Sequence, residues 1–600
     1  MDYTVSIPFI YIVKTGTGSV LDEGEKWFML SIILSWIIIG LYACLYGKVC
    51  IGILYKGKEK NLYSIDIFIA CGIMVLNVYA QFFSIFYKVS AAAFFILTLG
   101  AAGCSYYIVK VESKRSYKDY ATDCICSAWK KIKRHKSGLV LCMLIMCGTI
   151  LWTNLVPQHY DTYLYHAQAV HWIEDFGVIP GLGNLHFRLA YNSAFMGLQA
   201  LFSFAWLSGR SLHTVNGFVA VLMLVYVVLT IHRSSENKMD VSDMLKVSVL
   251  FYLIYSTFNI SSPNTDTWAL LLISYICIKW SEFVEEEERS ALPYSFLCLL
   301  SVYAMTLKLS AATFVILALY PAAILILSRN WKQIAIHVFS GFLIILPWFV
   351  RNVIISGYLV YPYWECDFFQ FDWKMPKEAL IEDRKEIIAW GRGHMDTERC
   401  GESLMRWVPE WYMSIHPLWR ILFVIAVIAG FFLIYYVMKS ILRRRSAGRS
   451  VLIVVVLAGM FSWFFSAPLP RYGIIYMMFL PCILVGILFG REIDLGIYIN
   501  KLLGMISGKI GYIVITMILL YGLLYFPYSS IVKCGRQPIL WQSDYANKAV
   551  DLYSLEEYCI AVPRAGDQTG YEPFPAVPYP HTLASIELRG RSLESGFRKK

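Results

Sequence analysis

The chain predicts an all-α polytopic integral membrane protein, and three observations carry that prediction. Of its 600 residues 58% are hydrophobic and 16% aromatic, only 16% are charged, and the mean hydropathy is +0.55, a composition suited to helices that face lipid. Uncharged runs long enough to cross a hydrocarbon layer of ~30 Å, which takes about 20 residues per helix, recur along the chain. Lysine and arginine gather in clusters between those runs, as loops retained in the cytoplasm require.

The runs begin near Trp27, Ile65, Val89, Gly138, His213, Met244, Thr265, Leu292, Ala311, Ile334, Pro417, Val451, Tyr472 and Ile510, about fourteen transmembrane helices in all. Ahead of them the short apolar run Ile7 to Val13 lacks a basic leader and is followed by Lys14-Thr-Gly-Thr-Gly, so no cleavable signal peptide is expected. Residues 1–137 hold three spans and a basic loop: Lys110 to Lys136 carries nine Lys/Arg against three acids. With Arg443-Arg-Arg445 and Arg449 this loop is assigned to the cytoplasm. Residues 138–350 form a core with a long first loop, 157–212, and residues 417–526 carry the C-terminal spans. Walking outward from the basic anchors puts the loops 157–212, 261–264, 351–416 and 466–473 outside, together with the N-terminus and the tail 527–600. The apolar segment Ala194 to Leu207 would reverse every later loop if it spanned; it is also too short, and is read as a helix lying in the outer interface or re-entering it. Glu285 to Glu288 falls inside, and the net charge of +11 reflects loops facing anionic lipid, not nucleic acid.

The external loop 351–416 and the tail 527–600 are each too small for an independent catalytic domain of ordinary size. Chemistry is therefore expected in the helical core at its outer surface. The proline-rich run Tyr571 to Pro580 is extended or turn-rich and is expected to pack across the external face. Of 15 cysteines, Cys366 with Cys400 and Cys534 with Cys559 fall outside, where disulfides and free thiols are both open. The sequence has no C-x-x-C pair with zinc spacing, no Walker loop and no solenoid repeat.

The most informative stretch is Pro157-Gln-His-Tyr-Asp161-Thr-Tyr-Leu-Tyr-His166, directly after an apolar run. Tyr160 to Asp175 has helical character, ended by Gly177 and Pro180-Gly-Leu-Gly183. Asp161, Tyr165, Gln168 and Trp172 then share one face, and carboxylate, phenol, amide and indole on one stripe suit a carbohydrate. An interfacial helix with an ordinary aromatic belt, Asp161 being a solvated acid favoured by the helix dipole, accounts for the same residues. His159, His166, His171 and His186 lack the i, i+4 spacing of two zinc ligands, so no metal ligand is assigned and His166 is read as a hydrogen-bonding or phosphate-pairing group.

Polar residues stand at the outer ends of other spans: Asp266 in Ser261-Ser-Pro-Asn-Thr-Asp266, Lys308 between two runs, Arg351-Asn352, and Arg471. A charge near lipid is costly and normally faces a partner or cavity. Snorkelling arginines and a helix-pinning Lys308–Asp266 pair would explain each singly; their common side points to one site. Nucleotide-activated donors stay in the cytoplasm, so an external site needs an activated group delivered through the membrane, such as a sugar on a polyprenyl phosphate. Lys308, Arg351 or Arg471 would neutralise the leaving phosphate while Asp161 takes the proton of the acceptor hydroxyl.

Several short motifs then fall in a familiar order: Tyr160-Asp161-Thr-Tyr-Leu-Tyr165, the helices at Ala194 to Leu207, Asp266, Thr306-Leu-Lys308, Pro347-Trp-Phe-Val-Arg351-Asn352 with Ser356 to Pro362, and Pro470-Arg471-Tyr-Gly473. Over about Gly138 to Gly490 the chain resembles the GT-C superfamily of membrane glycosyltransferases, in particular an uncharacterised bacterial branch. That resemblance implies a GT-C-like core with juxtamembrane helices in the first external loop, in a bacterial cytoplasmic membrane. It implies a polyprenyl-phosphate-linked sugar donor and a glycan, lipid or protein acceptor. Asp161 would be the base, Asp266 the second-loop acid and Lys308 a donor-phosphate contact. A divalent metal, Mg2+ or Mn2+, would approach Asp161, although Thr162 follows it and no Asp-Asp or Glu-x-Asp pair is present. Three spans precede the usual module. The rival classes are a lipid-linked glycan flippase or transporter, which would favour mid-span charges and repeated halves, and a glycan polymerase or ligase, which would rest on external arginines.

Overall fold

The computed structural model describes residues 29–56, 59–113, 136–231, 240–443, 446–489, 524, 528–529 and 542–600. Among them nine helices are long and apolar enough to cross a membrane: Leu30–Tyr55, Ile65–Phe86, Ala91–Glu112, Thr265–Glu285, Leu309–Leu327, Trp331–Ser356, Pro417–Leu442, Ala447–Ser466 and Pro470–Leu488. Each coincides with an expected span. Two further expected spans are the shorter apolar helices Val215–Thr230 and Ala291–Leu307, which at about 1.5 Å per residue fall short of the hydrocarbon thickness, and the run from Gly138 lies in the 18-residue helix Lys136–Thr153. The run from Met244 is the 15-residue helix Val241–Tyr255, interrupted as an apolar element by buried Asp243 and Lys246. The span expected from Ile510 lies largely outside the described residues, as do the N-terminus, most of the first basic anchor and Arg444-Arg445 of the second.

Local signals set the helix ends. Asn264 accepts a hydrogen bond from Thr267 N and Ser193 from Phe195 N, while Pro417 opens its helix at the first turn. Gly357, at φ +83°, stops Trp331–Ser356. Glycine also sets how closely the first two spans cross: a Cβ on Gly72 would lie 1.8 Å from the Ala43 carbonyl oxygen. Thr265–Glu285 is almost wholly buried and forms the axis of the membrane core, with Trp280 packed edge-on to Tyr294. The apolar segment after Ser193 is not one continuous helix. It breaks into Ala194–Leu201 and Ala205–Ser208, and every side chain of the first piece is buried inside the protein.

The tail adds what an all-α expectation lacked. Strands β1 (Val550–Leu555) and β2 (Tyr558–Pro563) pair antiparallel, Val550 opposite Pro563, as do β3 (Ile586–Leu588) and β4 (Phe597–Lys599). Ile560, Val577, Ile586 and Phe597 of the tail join Trp172, Leu185 and Leu189 of the first loop and Tyr358, Tyr361 and Leu380 of the 351–416 loop in a second core. The first loop, the 351–416 loop and the tail thus bury their apolar side chains together. Cys366 and Cys400 are free thiols; Cys534 lies outside the described residues.

Candidate functional site

Two turns bring the expected acids together. Asn216 donates through Nδ2 to the carbonyls of Ser262 and Asn264 at 2.7 and 2.8 Å, holding the turn whose cap leaves Asp266 in the first turn of its helix. Ser262 Oγ accepts from the backbone N–H groups of Gln158 and His159, both at 3.0 Å. The start of the first loop is therefore pinned against that turn, and Asp161 stands beside Asp266. Lys308 occupies the extended break after Ala291–Leu307 (φ −153°, ψ 125°), and Arg471 is the second residue of the helix opened by Pro470.

The four charges form one cluster. Arg471 Nη2 donates to Asp161 Oδ2 at 3.0 Å and to the Tyr472 hydroxyl at 2.7 Å, and its Nε lies 3.9 Å from Asp266 Oδ2. Lys308 donates to Asp266 Oδ1, and its ammonium sits 3.6 Å from the centre of the Tyr472 ring. Burial alone would raise the Asp161 carboxyl, but Arg471, aided by His159 and His166, outweighs it and holds the acid well below the usual carboxylate range. His159 accepts from Asp161 N–H at Nδ1, 3.2 Å away, which leaves its other ring nitrogen toward Asp266 at 4.0 Å. Burial lowers His159, and pushes His166 down to about 3. At neutral pH the cluster is two carboxylates, two cations and two uncharged imidazoles.

The other expected residues are placed differently. A π turn at Thr162–His166 precedes the α-helix Ala167–Asp175, so the Asp161 stripe does not continue as one face. Gln168 points into the tail: Nε2 donates to the carbonyls of Gly570 and Tyr571, and Oε1 accepts from Ala576 N. Trp172 is fully buried against Phe574 and Phe597. Half-buried Tyr165 and buried His166 stand beside the cluster with rings 4.3 Å apart, and neither ring nitrogen of His166 has a hydrogen-bond partner among the described residues. Arg351 stands apart from the cluster. Its guanidinium donates to Asn192 Oδ1 at 2.8 Å and to Ser84 Oγ, tying the left-handed Asn192 turn (φ 44°) to the second span.

Sequence reasoning did not single out Arg188, Tyr191 or Asp383, which continue the polar surface. Tyr191 donates to Asp383 at 2.7 Å, Arg188 lies 3.5 Å from Glu386, and burial pushes Asp383 up to about 6. These residues come from separate loops with no local spacing, so only the fold assembles them. Nor do the residues fit a divalent metal. Arg471 and Lys308 already stand on Asp161 and Asp266, and among the described residues no three His, Cys, Asp or Glu side chains are arranged to hold an ion.

A family described as a domain of unknown function (DUF8201) matches residues 29–478, and the chain belongs to it. The match includes Asp161, Asp266, Lys308 and Arg471 and stops short of the tail. No curated protein and no solved structure matches the chain.

Proposed function

We propose that this member of the DUF8201 family is a membrane glycosyltransferase of GT-C type, moving a sugar from a polyprenyl-phosphate donor to a hydroxyl of a glycan, lipid or protein on the extracytoplasmic face. The observation that supports it best is the convergence of Asp161 and Asp266 with Lys308 and Arg471 at the ends of apolar helices. A lipid phosphate is the anion for which two such cations are suited, and a carboxylate beside it is suited to deprotonate a hydroxyl.

In the resting cluster Arg471 makes Asp161 a weak base. A donor phosphate accepting from Arg471 and Lys308 draws charge away from the acids, and the Asp161 carboxyl rises toward its ordinary range. Asp161 then takes the proton of the acceptor hydroxyl as that oxygen bonds to the anomeric carbon. The bond from that carbon to the phosphate oxygen breaks, its electron pair stays on the phosphate, and the two cations hold the new charge. His166, uncharged and buried beside Asp161, keeps water from the carboxylate.

Comparing lipid-linked and surface glycans from cells with wild type, Asp161→Asn or no gene tests the reading. Loss of a glycan product in Asp161→Asn, with normal membrane insertion, is expected. An unchanged glycan profile on deleting the expressed gene would overturn the transferase reading; an unchanged product in Asp161→Asn alone would overturn the base.

A further inference from the structure

At the other end of the helix that begins beside Asp161, about 20 Å away by its rise per residue, lies a cavity of about 560 Å³. Its walls come from three places: the turn Tyr87–Ala92 between the second and third spans, the end of the Ala167–Asp175 helix with Ser203–Gly209, and Tyr571–Glu572 of the tail. That volume is in the range of small-molecule sites.

The chemistry of the wall is specific. Glu174 is 4% exposed and accepts from Ser211 Oγ at 2.7 Å and from the Tyr571 hydroxyl at 2.6 Å. His171 lies flat between Tyr571 and Phe574, ring centres 4.3 and 3.9 Å away, with Nε2 3.2 Å from Asp175 and Nδ1 3.3 Å from the Tyr571 carbonyl. Both ring nitrogens thus face oxygen atoms while aromatic faces hold the ring on either side. The wall's acids are Glu174, Asp175 and Glu572 and its bases His171 and Lys88, so it is polar and mixed in charge with a small excess of acid. Ring systems of Tyr87 and Trp206 border it, and next to them in sequence Phe86 and Leu207 are 72% and 70% exposed.

We propose that this cavity binds the uncharged, hydroxyl-rich head of a saccharide, at a site separate from the Asp161–Asp266 cluster. An anion or a cation would each meet wall groups of its own sign, whereas hydroxyls bond carboxylate, imidazole and ammonium alike, and an aromatic border accepts the C–H face of a sugar. The saccharide arrives on a lipid or free in solution; the chemistry of recognition is shared. The inference stands independently of the transfer reaction.

The test uses the full chain in nanodiscs. Binding of monoglucosyl diacylglycerol in phosphatidylcholine discs is measured by native mass spectrometry, and that of free maltotetraose by calorimetry. Saturable binding of either supports the site, and which one binds identifies the source. Ala92→Trp, at an exposed rim position, is expected to weaken it at least tenfold, about 1.4 kcal/mol, with an unchanged melting temperature. Glu174→Gln is expected to weaken it as well. Binding of neither probe above the phosphatidylcholine control, or undiminished binding to both variants, overturns the proposal.

Discussion

Replacing Arg471 with Met removes the cation that lies within 4 Å of both carboxylates, and the structure dictates the sign of the resulting change in stability with pH. Asp161 and Asp266 are 16% and 13% exposed in their side chains and Arg471 33%. Breaking a fully buried pair by removing one partner costs about 3–5 kcal/mol; water around a guanidinium one-third exposed reduces this to about 2–3 kcal/mol. Asp266 keeps Lys308, so the uncompensated charge falls mainly on Asp161. In the native protein the Asp161 carboxyl is depressed, and its contribution is present above its unfolded value near 3.8 and lost only as pH falls through the lower folded value. Wild type is therefore insensitive to this acid between pH 5 and 7.5. Without Arg471, burial and the Asp266 charge lift the carboxyl above its unfolded value, so the variant gains stability as pH falls. His159 acts in the same direction, since its imidazolium would stand in for the lost cation 4.0 Å from Asp266. Thermal unfolding of purified protein across pH 5 to 7.5 reads this, and Asp161→Asn added to Arg471→Met isolates Asp161 by restoring about 1–2 kcal/mol at pH 7.5. A variant whose stability is flat or falls toward pH 5, or a double variant no more stable than the single, would refute the coupling.

The packing sets two further outcomes. His171 is raised above its ordinary value, burial opposing but Asp175, Glu174 and Glu572 outweighing it; its hold on Tyr571 is complete below about pH 6.5 and lost as pH rises through the higher folded value. Because Asp175 and Glu572 are 52% and 59% exposed, the effect is about 1 kcal/mol or less, and hydrogen exchange in residues 567–576 that stays constant from pH 6 to 9 would contradict it. Gly473→Ala places a Cβ 2.1 Å from the Trp463 indole, two residues from Arg471, whereas Gly52→Ala meets nothing within 4 Å. The first is expected to cost about 1–3 kcal/mol and the second to be neutral or slightly stabilising, and equal melting temperatures for the two would rule that account out.

Charges at the ends of apolar runs were legible because lipid forbids them elsewhere: Asp161, Asp266, Lys308 and Arg471 stood out singly, and the fold brings them into one cluster. Arg351 carried the same signal for a different reason, since its partners Asn192 and Ser84 are neutral and distant in sequence. The nine long spans were legible from length and composition; the runs from His213, Met244 and Leu292 carried the same apolar signal, yet their helices of 15–17 residues are shorter than a bilayer crossing, because burial against protein removes the need to match it.

The stripe from Asp161 to Trp172 misled for a geometric reason. Reading i, i+4, i+7 as one face assumes about 100° per residue throughout, and a π turn spends an extra residue, turning everything after it by about that angle. Asp161 therefore keeps the cluster while Gln168 and Trp172 turn to the tail. A π turn also perturbs the helical hydrogen-bond ladder, and here Tyr163 O accepts from Gly570 N and Thr569 Oγ1, both at 3.0 Å. The Tyr163 hydroxyl accepts in turn from Ala546 N at 3.1 Å. The tail, outside the stretch matched by the family, thus supplies donors that stabilise the turn beginning immediately after Asp161. Loosening it should disturb the direction of that carboxylate before it disturbs any span.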